Sequence, residues 1–132
     1  RLPAFLKERF VVKKYIDEKS IGYVLNNMDI FIGRAGANTI YELGVLKKIA
    51  LLIPIPWVTH NEQYLNAKIL KDAGTANILE DKELESTDLK KEIERLQRQV
   101  QLRNINYNKQ EELFPRNALP QILEEIIQKH LK

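Results

Sequence analysis

Gly33-Arg34-Ala35-Gly36-Ala37-Asn38-Thr39-Ile40-Tyr41-Glu42-Leu43 is the stretch on which the fold turns. It follows Asp29-Ile30-Phe31-Ile32, a short apolar run with strand character, and leads into Ile40, Leu43, Val45 and Leu46 at helical spacing up to about Lys48. Small residues between strand and helix let the backbone turn sharply and let a ligand approach its amides. The free N–H groups of the helix's first turn then point outward with a partial positive charge behind them, an anion site suited to a diphosphate. Thr39 adds a hydroxyl donor, and Glu42, one turn further in, carries a carboxylate able to accept hydrogen bonds from ribose hydroxyls. A strand–helix turn that needs small residues only for packing would read the same way. The segment is neither a GxGxxG fingerprint nor a Walker loop.

Outward from this stretch the pattern repeats. Phe10-Val11-Val12 opens a strand expected to reach about Tyr15, and Asp17 to Met28 reads as a helix with Ile21, Val24, Leu25 and Met28 on one face. Ile49 to Pro54 is almost wholly apolar, as a parallel strand covered on both faces would be. Glu62 to Ala73 reads as a helix closed by Gly74, where a glycine C-cap belongs, and Thr75 to Leu79 as a further short strand. This alternation predicts an α/β chain with a parallel, Rossmann-like sheet flanked by helices. Beyond Asp81 the pattern turns helical: Ser86 with Leu89, Ile93, Leu96 and Val100, a polar break over Asn104 to Lys109, and a final helix from about Ala118. The expected organisation is one domain over residues 1–132, with an α/β part over about 10–80 and a helical tail over about 81–132.

A second stretch, Pro54-Ile55-Pro56-Trp57-Val58-Thr59-His60-Asn61-Glu62-Gln63-Tyr64-Leu65-Asn66-Ala67, also follows a buried strand and so sits at the carboxyl edge of the sheet. Ligands of open α/β sheets bind at that edge. Glu62, Gln63 and Asn66 cluster at the start of the next helix, where a carboxylate and amides suit sugar hydroxyls; helix capping by Asn61 and a solvated first turn would explain them equally. Trp57 fits either an exposed contact or a core anchor.

Several classes are disfavoured. With no cysteine in 132 residues there is no disulfide and no thiolate metal site. The two histidines, His60 and His130, fall in no HxH, HxxxH or HExxH spacing, so no dedicated metal site is expected. Ser20 and Thr39 lack evident histidine and acid partners for a hydrolase triad. The net charge of +3 is mild and its signs alternate in the last third, which reads as a mixed solvated surface and not a nucleic-acid stripe, with room for weak attraction to anionic lipid heads. Apolar runs fall short of the about 20 residues that cross a bilayer, and the first residues lack the core and cleavage site of a signal peptide.

Arg34-Ala35-Gly36-Ala37-Asn38-Thr39-Ile40-Tyr41-Glu42-Leu43 resembles the RAG-A-x-T-x-x-E-L signature of the MurG family, which transfers N-acetylglucosamine from UDP-N-acetylglucosamine to the muramyl-pentapeptide lipid of peptidoglycan synthesis. Ile53 to Gln63, followed by Asn66-Ala67, is similar to that family's next motif, and Tyr15-Ile16-Asp17 to the segment before it. The similarity runs in order from about Phe10 to Leu79. It implies part of a GT-B C-terminal donor-binding domain. The Ile16 backbone would meet the uracil; Arg34 and Gly36 lie within the signature; Ala37, Asn38 and Thr39 would hold the phosphates; Glu42 would bind the ribose; Gln63, with Glu62 beside it, would contact the sugar. Glu62 stands where many members carry histidine or another polar residue.

Further expectations follow from the resemblance. The donor is a substrate and no prosthetic group is implied, while a requirement for a divalent cation stays open. The catalytic base and the site for the lipid-linked acceptor belong to an N-terminal domain with no counterpart here, so this chain alone is expected to be inactive. The family works in the cytoplasm, peripheral to the inner face of the cell membrane. Other UDP-sugar transferases, building glycolipids or assembled from two subunits, and a non-catalytic nucleotide-binding module are the alternatives. In the order 3-2-1-4-5-6 the strands here would be the third to the sixth, and the first two lie between the third and fourth. That gap predicts a reordered sheet or pairing with a second copy of the chain.

Overall fold

The computed structural model describes residues 3–102 and 111–116. After a single helical turn, α1 (Ala4–Lys7), come α2 (Glu18–Asn27), β1 (Ile30–Gly33), α3 (Ala37–Val45), β2 (Ile49–Leu52), α4 (Glu62–Asp72), β3 (Ala76–Ile78) and α5 (Leu89–Leu102). The three strands are parallel in the order β1-β2-β3, with Gly33 opposite Leu52 and Leu52 opposite Ile78. The strand ends are therefore level, and the three loops that follow them share one edge of the sheet.

Strand periodicity sorts the core into two layers. Ala50 and Leu52 of β2 pack with Ile40 and Leu43 of α3 and Ala67 and Leu70 of α4 on one face. Leu51 and Ile53 point the other way, against Leu79 and Leu96 of α5. The apolar run through β2 thus arises because both its faces are covered, as the sequence predicts.

The helices stop where local chemistry stops them. The Asp17 carboxylate accepts from the Ser20 amide at 2.9 Å and caps α2. Gly74, at φ 84°, ends α4: its N–H donates to the Lys71 carbonyl at 3.0 Å and that of Thr75 to Leu70 at 3.1 Å, the paired bonds of a Schellman cap. α3 closes in the same way through Lys47, held at φ 54° without being glycine. The Lys47 ammonium lies 2.5 Å from the Glu111 carboxylate. Three residues on, Phe114 lays its ring against Gly44 of α3 and edge-on to Tyr41, with ring centres 6.3 Å apart. Residues 111–116 therefore return to the α3 face although α5 covers the opposite one.

Two expectations need correction. Phe10 to Tyr15 is not a strand, and Phe10, Val11, Val12 and Tyr15 are exposed. A strand exists only by pairing, and this segment is expected three places away from β1, with two strands between that are not among these three. The sheet is also not reordered; its three strands keep sequence order. The segment 104–109 and the helix expected from Ala118 lie outside the described residues.

Candidate functional site

The turn between β1 and α3 occupies the carboxyl edge. Gly36 is the N-cap of α3, at φ −65° and ψ 151°, and no side chain caps the helix. The first intrahelical bond closes from Ile40 N–H to the Gly36 carbonyl at 3.0 Å, so the amides of Ala37, Asn38 and Thr39 face outward without intrahelical partners. A Cβ placed on Gly36 would meet no atom within 4 Å; open space lies in front of it. Gly33 is different, because a Cβ there would come 2.7 Å from the Phe31 ring. A side chain at 33 would have to push the Phe31 ring aside, whereas one at 36 would displace nothing. Ala37 and Asn38 are exposed and Thr39 half-buried. Glu42 is exposed further along α3, and among the described residues its carboxylate enters no hydrogen bond or ion pair.

The turn is held from α4. Gln63 Oε1 accepts from the Ala35 amide at 3.3 Å and from the Ile55 amide at 3.0 Å, and Asn66 Nδ2 donates to the Ala35 carbonyl at 3.2 Å. Both polar groups of the fully buried Ala35 are therefore satisfied by two α4 side chains three residues apart, the spacing that shares one helix face. Gln63 keeps its NH₂ for another acceptor, while its oxygen is committed to the two loops. Glu62 stands exposed beside it as the first residue of α4.

Arg34 ties all three strand ends together. Its terminal nitrogen donates to the Ile53 carbonyl at 3.2 Å and lies 2.5 Å from Asp81 Oδ1, beyond β3. Asp81 was not legible as a site residue: it stands 47 positions from Arg34, and only the parallel register brings them together. Ile16 is half-buried just before the α2 cap, and among the described residues no hydrogen bond joins it to the turn. Lys48, at the opposite edge beside the start of β2, donates to the carbonyls of Asn26 and Met28 and fixes the far end of α2 there.

A cleft of about 420 Å³ opens between the loops after β2 and β3, lined among others by Pro54, Pro56, Asn61, Tyr64, Glu80 and Asp81. Of its lining residues, Asp81 pairs with Arg34 of the β1–α3 turn. His60 and Asn61, at φ 56° and 54°, are consecutive left-handed residues on the loop into α4, a conformation costing about 1 kcal/mol or more each for side chains other than glycine. His60 and Trp57 are exposed. Among the described residues no group of three or more histidine, cysteine, aspartate or glutamate side chains is placed to hold a metal ion. Nor is any described helix long and apolar enough to cross a membrane.

Residues 4–126 match the Glycosyltransferase family 28 C-terminal domain. Curated relatives carry the name UDP-N-acetylglucosamine–N-acetylmuramyl-(pentapeptide) pyrophosphoryl-undecaprenol N-acetylglucosamine transferase. One from Anaeromyxobacter sp. (strain K) is 40% identical over 82 residues, 62% of this chain and 21% of the relative. One from Sulfurihydrogenibium sp. (strain YO3AOP1) is 34% identical over 87 residues, 66% of this chain and 24% of the relative. A third, from Bacillus cytotoxicus, is 46% identical over 66 residues, 50% of this chain and 18% of the relative. The chain thus spans about a fifth to a quarter of the length of these relatives. No solved structure matches it.

Proposed function

The chain belongs to the glycosyltransferase family 28 C-terminal domain family, and from that premise we propose that it forms the donor half-site of an enzyme that transfers N-acetylglucosamine from UDP-N-acetylglucosamine to a lipid-linked muramyl-pentapeptide acceptor. The observation that carries this reading is the uncapped first turn of α3, with open space before Gly36 at the carboxyl edge of the sheet. An acceptor hydroxyl attacks the anomeric carbon, the bond to the diphosphate breaks, and negative charge grows on the departing UDP. Amides fixed at a helix N-terminus stabilise that charge without reorganising. Glu42, exposed one turn further along, is free to accept the ribose hydroxyls, and Gln63 offers its remaining NH₂ to the sugar. The general base and the acceptor site fall outside this chain, so it binds donor without turning it over. Work at the inner face of the membrane follows from the lipid acceptor.

Calorimetric titration with UDP-N-acetylglucosamine, UDP-glucose and UDP tests the reading, with Glu42→Ala alongside. Preference for the N-acetylglucosamine donor, and a loss of about tenfold or more in the variant with unchanged thermal unfolding, is the expected result, since one charge-assisted hydrogen bond contributes about 1.5–3 kcal/mol. A chain that binds no UDP compound, in this length or extended to its N-terminal side, would turn the reading towards a non-catalytic interaction module.

A further inference from the structure

We infer that Asp81 is a positioning residue for the donor diphosphate, acting through Arg34; the inference rests on the donor-site reading above. Both hydrogen bonds that hold the Arg34 guanidinium, to the Ile53 carbonyl and to Asp81 Oδ1, leave from the same terminal nitrogen. That nitrogen has two hydrogens, and both are used. The other terminal nitrogen and Nε carry the remaining three N–H groups of the planar fork. The Arg34 side chain is 43% exposed and that of Asp81 26%, so the fork is anchored at one end and open at the other.

The backbone fixes where this fork stands. Arg34 directly follows β1 and lies two residues before Gly36, whose helix presents its free amides at the same edge. Without Asp81 the arginine would keep one weaker anchor, the Ile53 carbonyl at 3.2 Å, and would sample many rotamers. With Asp81 it presents three donors in a plane suited to phosphate oxygens, and less freedom is lost when the anion arrives. The carboxylate also fixes a limit: it offsets part of the arginine charge, so the site holds an anion without trapping the UDP product.

Uridine, UDP and inorganic pyrophosphate separate the diphosphate from the nucleoside. Their binding to the whole chain is measured calorimetrically for Asp81→Ala, Asp81→Asn, Arg34→Ala and the Asp81→Ala/Arg34→Ala double variant. Asp81→Ala should weaken UDP and pyrophosphate about tenfold and leave uridine within about twofold. Asp81→Asn, which keeps an accepting oxygen, should recover part of the loss. The double variant should bind UDP no worse than Arg34→Ala, because Asp81 acts only through Arg34. Equal losses for uridine and UDP, or losses that add in the double variant, would overturn the proposal and leave a loop tether. Normal UDP binding by Asp81→Ala would overturn it too, with the donor reading intact. A parent chain that binds neither UDP nor pyrophosphate would remove the donor reading and this proposal together. Should Asp81→Ala unfold, the asparagine variant against Arg34→Lys decides: positioning requires UDP binding to fall while uridine binding stays.

Discussion

At the turn after β1, Gly36 meets no atom within 4 Å and no side chain caps α3, whereas the loop after β2 ends in two left-handed residues and is fastened through Gln63. The two turns share a sheet edge and have opposite constructions. The first leaves the amides of Ala37, Asn38 and Thr39 unspent. The second leads into α4, whose side chains hold the first, since Gln63 and Asn66 between them bind both polar groups of Ala35. A backbone anion site of the kind proposed for the first turn must stay open to ligand and must also keep its shape while empty. Dividing these demands between two loops satisfies both, because the support comes from the neighbour.

Removing the support should have the largest effect on this contrast. Gln63→Ala strips the acceptor from two partly buried amides, and an unsatisfied buried donor costs about 1–3 kcal/mol. Urea denaturation should show a loss of about 2 kcal/mol, accompanied by weaker UDP binding. A variant that keeps full stability would mean that the first turn holds itself. Next in size is a paired test on the glycines of the first turn. Gly33→Ala drives a methyl into the Phe31 ring and should cost about 1–2 kcal/mol. Gly36→Ala has room and a φ of −65°, so it should change stability by less than about 1 kcal/mol while weakening UDP at least tenfold. Equal stability losses at both positions would erase the distinction between a packing glycine and a ligand-facing one.

The smallest effect concerns α2, away from both turns. The Ser20 hydroxyl, and after it the Ser20 backbone amide, hold the Asp17 carboxyl below its ordinary value near 3.8. A lowered carboxylate pKa contributes stability that is fully present above the unfolded value and is lost as pH falls through the folded one. The Ser20 amide resonance should therefore move with pH with a midpoint below 3.8, and helix α2 should loosen over that acid range. Asp17→Asn, a cap that does not titrate, should abolish this movement. A Ser20 shift unaltered in that variant would assign the transition to another group.

What the sequence revealed was local in origin. The strand–turn–helix from Ile30 to Leu43 was legible because an apolar run, small residues and helical spacing follow one another within fourteen positions. Gly74 was legible for the same reason, since a cap is chemistry between neighbours. Phe10 to Tyr15 misled because its composition suits a strand, but strand formation is decided by a partner elsewhere. The pairing of Arg34 with Asp81 was hidden because two helices and two strands separate them. Gln63 was seen as a binding residue, yet its structural duty depends on a loop folding back onto its own oxygen, which periodicity does not encode.

The ring of Phe114 lies where any side chain at position 44 would have to go. In the language of inheritance, glycine at 44 and the aromatic at 114 should travel as a single trait. Neither can drift alone, since a methyl at 44 evicts the ring and a smaller residue at 114 leaves the helix with a notch. The 69 positions between them, Gln63, Asn66 and Asp81 included, answer to other demands. Because the helix that carries Gly44 also presents the open amides at its other end, lineages that keep the open turn before α3 should keep this returning segment with it.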